Sequence, residues 1–234
     1  MKKYLVFIIC FLFSQNSIFA QRKFLSEEIR ISWHSRTSIQ MSNILGSYTS
    51  KELKPVLKSG PALGGYFSVA LNDHWAFEPG VSFSVKGSRN KIDFTTVIGT
   101  SEMTYTSHEE GIIKTDLFYA EWPILLVYRM ESKVSLGAGC YFGMLLKARY
   151  SKDITLTQIN NGSVTTTEQR DRSSDISDFS RKDAGISLTA GYMLRDGLEL
   201  SAFYNKGMFD MKHPKSEFRN VSFGLSIACR IQQF

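Results

Sequence analysis

The stretch Val221-Ser222-Phe223-Gly224-Leu225-Ser226-Ile227-Ala228-Cys229-Arg230-Ile231 decides the fold. Its odd positions are apolar, and its even positions are small or polar. Successive strand side chains point to opposite sides, so this rhythm predicts a strand with one greasy face. The same alternation recurs upstream. Leu198, Leu200, Ala202 and Tyr204 stand against Glu199, Ser201, Phe203 and Asn205. Ala184, Ile186, Leu188, Ala190, Tyr192 and Leu194 form another such face, as do Val134, Leu136, Ala138, Cys140, Phe142, Met144 and Leu146. Trp75, Phe77, Val81, Phe83 and Val85 oppose Glu78, Gly80, Ser82, Ser84 and Lys86. Three further segments are less regular: Phe118 to Met130, Leu63 to Leu71, and a short first strand around Ile29, Ile31 and Trp33. Together they predict about eight strands.

The connections alternate as well. Asn72–His74, Glu131–Lys133 and Arg195–Gly197 read as tight polar turns, whereas Ser35–Gly60, Ser88–Thr115, Ser151–Asp183 and Lys206–Asn220 read as long loops. Short turns on one side and long loops on the other are the plan of an outer-membrane barrel. The expected fold is therefore all-β: an eight-stranded antiparallel up-and-down transmembrane β-barrel. Trp75, Trp122, Tyr128, Tyr192 and Tyr204 fit either interfacial girdles or an ordinary core. Pro79 and Pro123 each remove a ladder donor, so a bulge or missing bond is expected at both.

Lys2, Lys3, an apolar run from Tyr4 to Phe13, and Ala20 before Gln21 have the plan of an export signal. The expected division is 1–20 as a cleaved signal peptide and 21–234 as the barrel domain. The formal net charge is +6, and losing Lys2 and Lys3 with the signal lowers it to +4. No later stretch approaches the roughly 18 apolar residues of a membrane helix, so membrane insertion requires a closed barrel. Beyond Cys10 only Cys140 and Cys229 remain. They are too few for a disulfide framework or a four-cysteine metal site.

Several phrases resemble the PorT-like outer-membrane β-barrel family of Gram-negative bacteria. They are Phe77-Glu78-Pro79-Gly80 leading to Ser84-Val85-Lys86-Gly87, then Tyr119-Ala120-Glu121-Trp122-Pro123, Gly137-Ala138-Gly139 and the closing strand. The resemblance implies a small porin-like barrel in the outer membrane and assigns no task, secretion included. Phe234 is similar to the aromatic end that barrel-assembly machinery reads, which makes that machinery an expected partner during biogenesis. Strict alternation nonetheless sets Phe234 out of step with the apolar face ending at Ile231.

By parity, Arg30, Glu78, Lys86, Glu121, Lys147, Glu199 and Arg230 are expected in the lumen as a structural ion-pair network, since unpaired buried charges are costly. A wide pore needs about sixteen strands. Loop cations, notably Arg170, Arg172, Arg181, Lys182, Lys212 and Lys215, suit phosphorylated lipopolysaccharide or a partner protein. The threonine-rich segments Asp153–Thr167, read as a hairpin, and Lys91–Ser107 offer strand edges for docking. Nucleic acid is a poor partner for an exported chain. His34, His74, His108 and His213 lack ligand spacing, so no metal, cofactor or catalytic residue is expected. Two alternatives stand beside this reading. One is a soluble periplasmic barrel holding a small apolar ligand; the other is a lipid-modifying enzyme built on Asp210, His213 and a serine.

Overall fold

The computed structural model describes residues 30–45, 53–99, 104–160, 163–174, 179–210 and 219–234. The expected signal peptide, Lys212, His213 and Lys215 lie outside these residues. The strands are β1 (Ile31–Leu45), β2 (Leu53–Val56), β3 (Lys58–Ala70), β4 (Trp75–Gly99), β5 (Thr104–Arg129), β6 (Val134–Asn160), β7 (Ser163–Ser173), β8 (Lys182–Arg195), β9 (Leu198–Gly207) and β10 (Arg219–Gln233). Eight of them, β1, β3, β4, β5, β6, β8, β9 and β10, pair antiparallel in that order, and β10 returns to β1. The ring is closed and has no edge within it. Beyond the ring, β2 pairs with the upper part of β4 and β7 folds back on β6.

The apolar face points outward. Ile39, Leu63, Phe83 and Leu225 are 71%, 62%, 60% and 60% exposed, whereas Gln40, Ser42, Ser68, Lys86 and Ser222 are buried. A soluble barrel with a greasy interior would have the opposite arrangement, so that alternative fails on geometry. Trp75, Trp122, Tyr192 and Tyr204 also face outward and exposed, which removes the ordinary-core reading for them. Trp75 and Tyr128 face each other across β4 and β5 with ring centroids 5.0 Å apart.

The tight turns have local causes. The Asn72 side-chain oxygen accepts hydrogen bonds from the amides of His74 and Trp75, at 2.9 and 2.8 Å. Such an Asx turn mimics a backbone turn. Lys133 and Gly197 reverse the chain with φ of 66° and 78°. Glycine adopts that region without steric cost.

Four features depart from the expected pattern or sharpen it. First, β1 is a full 15-residue strand; its outward Ser35 and Thr37 interrupt the apolar signal without interrupting the ladder to β10. Second, most of the expected loops Ser88–Thr115 and Ser151–Asp183 is strand, because β4, β5 and β6 run for 25, 26 and 27 residues. Third, the β4–β5 ladder passes from Pro79↔Ile124 to Ser82↔Glu121, leaving Gly80 and Val81 outside it beside Pro123. The bonds that proline cannot donate are missing where expected.

The fourth feature is a set of three bulges, one of them between β8 and β9, where the register passes from Met193↔Glu199 to Arg195↔Leu198 and Leu194 is extra. The β5–β6 register passes from Phe118↔Lys147 to Tyr119↔Leu145, so Leu146 is an extra residue. Between β10 and β1 it passes from Gln232↔Trp33 to Arg230↔His34, making Ile231 extra. A bulge shifts every later residue to the other face. Phe234 is thereby returned to the outward side with Trp33 and Gln232, and its amide donates to the Ile31 carbonyl at 2.8 Å.

Candidate functional site: a filled lumen and a projecting sheet

Inward residues of the eight strands build two polar clusters. Towards the short turns, Glu78 on β4 accepts hydrogen bonds from Arg129 on β5 at 2.8 Å and from Ser68 on β3 at 3.2 Å. Arg129 also donates to Ser68 at 2.7 Å, which closes a triangle. Beside it the Arg36 guanidinium lies 4.2 Å from the Tyr66 ring centre, and His34 stacks on the same ring with centroids 4.8 Å apart. A cation over an aromatic face is held by the ring quadrupole.

Towards the long-strand side, Lys86 on β4 donates to Glu121 on β5, both almost wholly buried. The Lys86 ammonium also lies 4.6 Å from the Tyr141 ring centre. Tyr141 donates to Asp183 at 3.2 Å, and Asn220 donates to the same carboxylate oxygen at 3.1 Å. Between the clusters a cavity of about 70 Å³ touches Arg36, Gln40, Tyr66, Glu121, Tyr141 and Asn205. Sites for drug-sized ligands occupy roughly 300–1,000 Å³, so this cavity has room for a few waters and is too small for such a ligand.

The expected lumen charges divide. Glu78, Lys86 and Glu121 are buried inside the barrel. Glu199 is half-buried at the short-turn end and accepts from Ser135 at 2.9 Å. Arg230 pairs there with the exposed Asp196. Two placements need correction. Arg30 precedes β1 and makes a solvent-exposed pair with Asp73 at 3.1 Å, because the strand that would carry it inward begins only at Ile31. Lys147 is exposed on the outer face, because the Leu146 bulge reverses parity and turns Ala148 inward instead. Arg129 was within reach of the sequence, since it shares the odd parity of Glu121. Arg36 and Asp183 lay in segments read as loop.

Beyond the ring, β4, β5, β6 and β7 continue as a sheet, which β2 joins along β4 at its base. Its hairpins close at Gly99↔Thr104 and at Asn160↔Ser163, flanking residues 161–162. The Asp153–Thr167 segment thus forms part of the β6–β7 hairpin, and Lys91–Ser107 spans the end of the β4–β5 hairpin. Among the described residues β7 pairs on one side only, with β6, and every β7 residue is exposed. Arg170 and Arg172 lie on this strand, and Arg181 and Lys182 are exposed at the start of β8.

Other chemistry is sparse among the described residues. No group of acidic, histidine and cysteine side chains could hold a metal ion. His34 bonds to Ser32, His74 to the Arg129 carbonyl and His108 to Thr95, at 2.8, 3.3 and 2.9 Å. None of these partners is a carboxylate, and the Asp210 and His213 pairing falls outside the described residues. Cys140 and Cys229 are free and exposed on the outer face of β6 and β10.

A sequence profile described as "Outer membrane protein beta-barrel domain" matches residues 13–213. No curated protein matches the chain. Among solved structures it is similar to Neisserial surface protein A at 11% identity, with 86% of this chain and 99% of that one covered and a TM-score of 0.39. It is also similar to Ail, the attachment invasion locus protein of Yersinia pestis, at 16% identity, covering 89% and 100% with a TM-score of 0.38. A third is the N-terminal β-barrel domain of Pseudomonas aeruginosa OprF, at 11% identity, covering 84% and 97% with a TM-score of 0.29.

Proposed function

This chain belongs to the outer membrane protein β-barrel domain family, and on that premise we propose that it is a closed anchor that presents a β-sheet at the cell exterior for contact with a partner. One observation carries the reading. A tilted strand needs about 9–11 residues to cross the hydrocarbon, yet β4, β5 and β6 have 25, 26 and 27. The surplus is paired sheet ending in the one-sided strand β7. An unpaired strand edge is a template for an incoming extended segment.

The lumen supports anchoring over transport. Lys86, Glu121, Tyr119 and Tyr141 fill its centre, and eight strands leave space for little beyond side chains. Within the family we read the chain as PorT-like, on the Phe77–Gly80 and Tyr119–Pro123 phrases. Export by a leader ending at Ala20 belongs to the same proposal, as does recognition of Phe234 by barrel-assembly machinery.

The test combines topology with conductance. An epitope inserted between Asn161 and Gly162 is expected to be stained by antibody on intact cells, and the purified barrel is expected to leave planar bilayers silent. Staining only after the outer membrane is broken, or steady channel currents, would overturn the reading.

A further inference from the structure

The outer face changes chemistry abruptly at one end of the barrel. On six ring strands the apolar outward row ends in a cation on the long-strand side. On β4, Phe83 and Val85 give way to Arg89. On β5, Phe118 is followed outward by Asp116 and then Lys114. On β6, Met144 and Leu146 give way to Lys147 and Arg149. On β8, Ile186 and Ala184 lead to Lys182. On β9, Ala202 and Tyr204 lead to Lys206. On β10, Phe223 and Val221 lead to Arg219. At the short-turn end the same rows finish on Trp75, Met130, Val134, Leu198 and Ile231, and on β8 the row passes Leu194 to the exposed Arg195, which a bulge sets opposite Leu198. The barrel thus has a collar of cations on six strands at one boundary, against the single Arg195 in the same rows at the other.

Register adds a second observation. Arg89 faces Lys114 directly across β4 and β5. Lys114 faces Ser151 on β6, and Ser151 faces Arg172 on β7. Like charges directly opposite one another destabilise a sheet. Among the described residues Arg89, Lys114, Arg172, Lys147, Lys182, Lys206 and Arg219 are in none of the ion pairs; the nearby Asp116 is taken by Lys58 at 2.9 Å. A recess of about 770 Å³ opens beside Arg89, Lys91, Lys114 and Arg170, and the carboxylates of Asp93, Glu110, Asp153 and Glu168 line it as well. Arg89, Lys114 and Arg172 form a row of three cations in none of the ion pairs, with Asp153 one row further out, and such a row fits an anionic ligand.

We propose that the collar binds the phosphates of a phosphorylated glycolipid of the outer leaflet, lipopolysaccharide, with Arg89, Lys114 and Arg172 as its densest part. The complementarity is one of leaflet as well as charge. Short turns face the periplasm in such barrels, so the collar meets the leaflet that carries phosphorylated glycolipid and the cation-poor rim meets the inner one. Cations and phosphate oxygens form charge-assisted hydrogen bonds, which are shorter and stronger than neutral ones. This inference rests on the outer-membrane placement and stands whether or not β7 docks a partner.

The test uses the full chain in lipid nanodiscs, titrated with bis-phosphorylated lipid A and read by the rise in thermal unfolding midpoint. The wild type is expected to respond, and dephosphorylated lipid A of the same acyl chains is expected to fail. Combining Arg89→Gln, Lys114→Gln and Arg172→Gln is expected to weaken the response at least roughly tenfold, while Lys133→Gln with Arg195→Gln at the opposite end leaves it unchanged. If the triple variant loses its heat-modifiable gel mobility, Lys147→Gln and Lys206→Gln tested singly serve instead, each lowering the response. Equal responses to both lipids, an undiminished response of the folded variants, or an equal rise with inorganic phosphate at matched ionic strength would overturn the proposal. The last outcome would identify a site for free anions.

Discussion

Lys86 and Glu121 form a buried ion pair across the β4–β5 seam, their side chains 1% and 8% exposed. Breaking such a pair by removing one member leaves an uncompensated charge and costs about 3–5 kcal/mol. Lys86→Met is expected to lower barrel stability by that order in urea unfolding followed by gel mobility. Lys86→Met combined with Glu121→Leu removes both charges and is expected to recover most of the loss. A double variant no more stable than the single would refute the ion-pair account.

The Glu78–Arg129 pair leads to a graded expectation. Arg129 is 31% exposed, so its charge is partly solvated, while Glu78 is 5% exposed. Arg129→Met strands the buried Glu78 carboxylate and is expected to be costly. Glu78→Gln leaves Arg129 access to water and keeps an acceptor for Ser68, so it is expected to cost about 1–2 kcal/mol. Urea midpoints compare the two, and a larger loss for Glu78→Gln would contradict the geometry.

Leu146 is the extra residue of the β5–β6 bulge. Deleting Leu146 removes the extra residue and restores strict alternation with Lys147 still outward and Ala148 still inward, so folding to the heat-modifiable form is expected to survive. Leu146→Ala keeps the bulge and is expected to cost little on its exposed outer site. In a background without Cys140 and Cys229, Lys147→Cys is expected to react with a water-soluble maleimide on intact cells, and Leu145→Cys is expected to stay unlabelled. Equal labelling would show that the parity does not reverse.

Gly87 is a backbone requirement. Its φ is 142°, and a Cβ there would stand 1.9 Å from the Thr115 carbonyl oxygen. Its amide also donates to the Ser42 hydroxyl at 3.0 Å. Gly87→Ala is expected to destabilise the barrel by about 1–3 kcal/mol. At Gly143 the nearest atom to an added Cβ is 3.4 Å away, so Gly143→Ala is expected to be near neutral in the same unfolding assay.

The outline of the barrel was legible because its signal is periodic. Each membrane-crossing stretch such as Val221–Ile231 carries an apolar face that must meet lipid, and Asn72, Lys133 and Gly197 fall at the turns between such stretches. In the projecting sheet the outward rows are mixed, Thr95, Thr157 and Thr166 standing beside the exposed Val97, Ile159 and Val164. Its pairing is therefore invisible to an apolar count, and β4, β5 and β6 were underestimated. The lumen was half legible for a related reason. Parity places Glu78, Lys86 and Glu121 together, but parity is interrupted at Leu146 and Ile231, and a bulge leaves no mark in composition. Arg36 was missed because its strand was read as ending too soon, and Lys58 and Asp183 because theirs were read as starting too late.

The measurement that tests the central claim most directly is density separation of the membranes of a Gram-negative host expressing the full chain, followed by gel mobility before and after boiling. Recovery in the outer membrane, with a faster band that shifts only on boiling, is the predicted result. Recovery from the periplasm as a soluble protein with one mobility would contradict a closed membrane barrel, and with it the anchor and the collar.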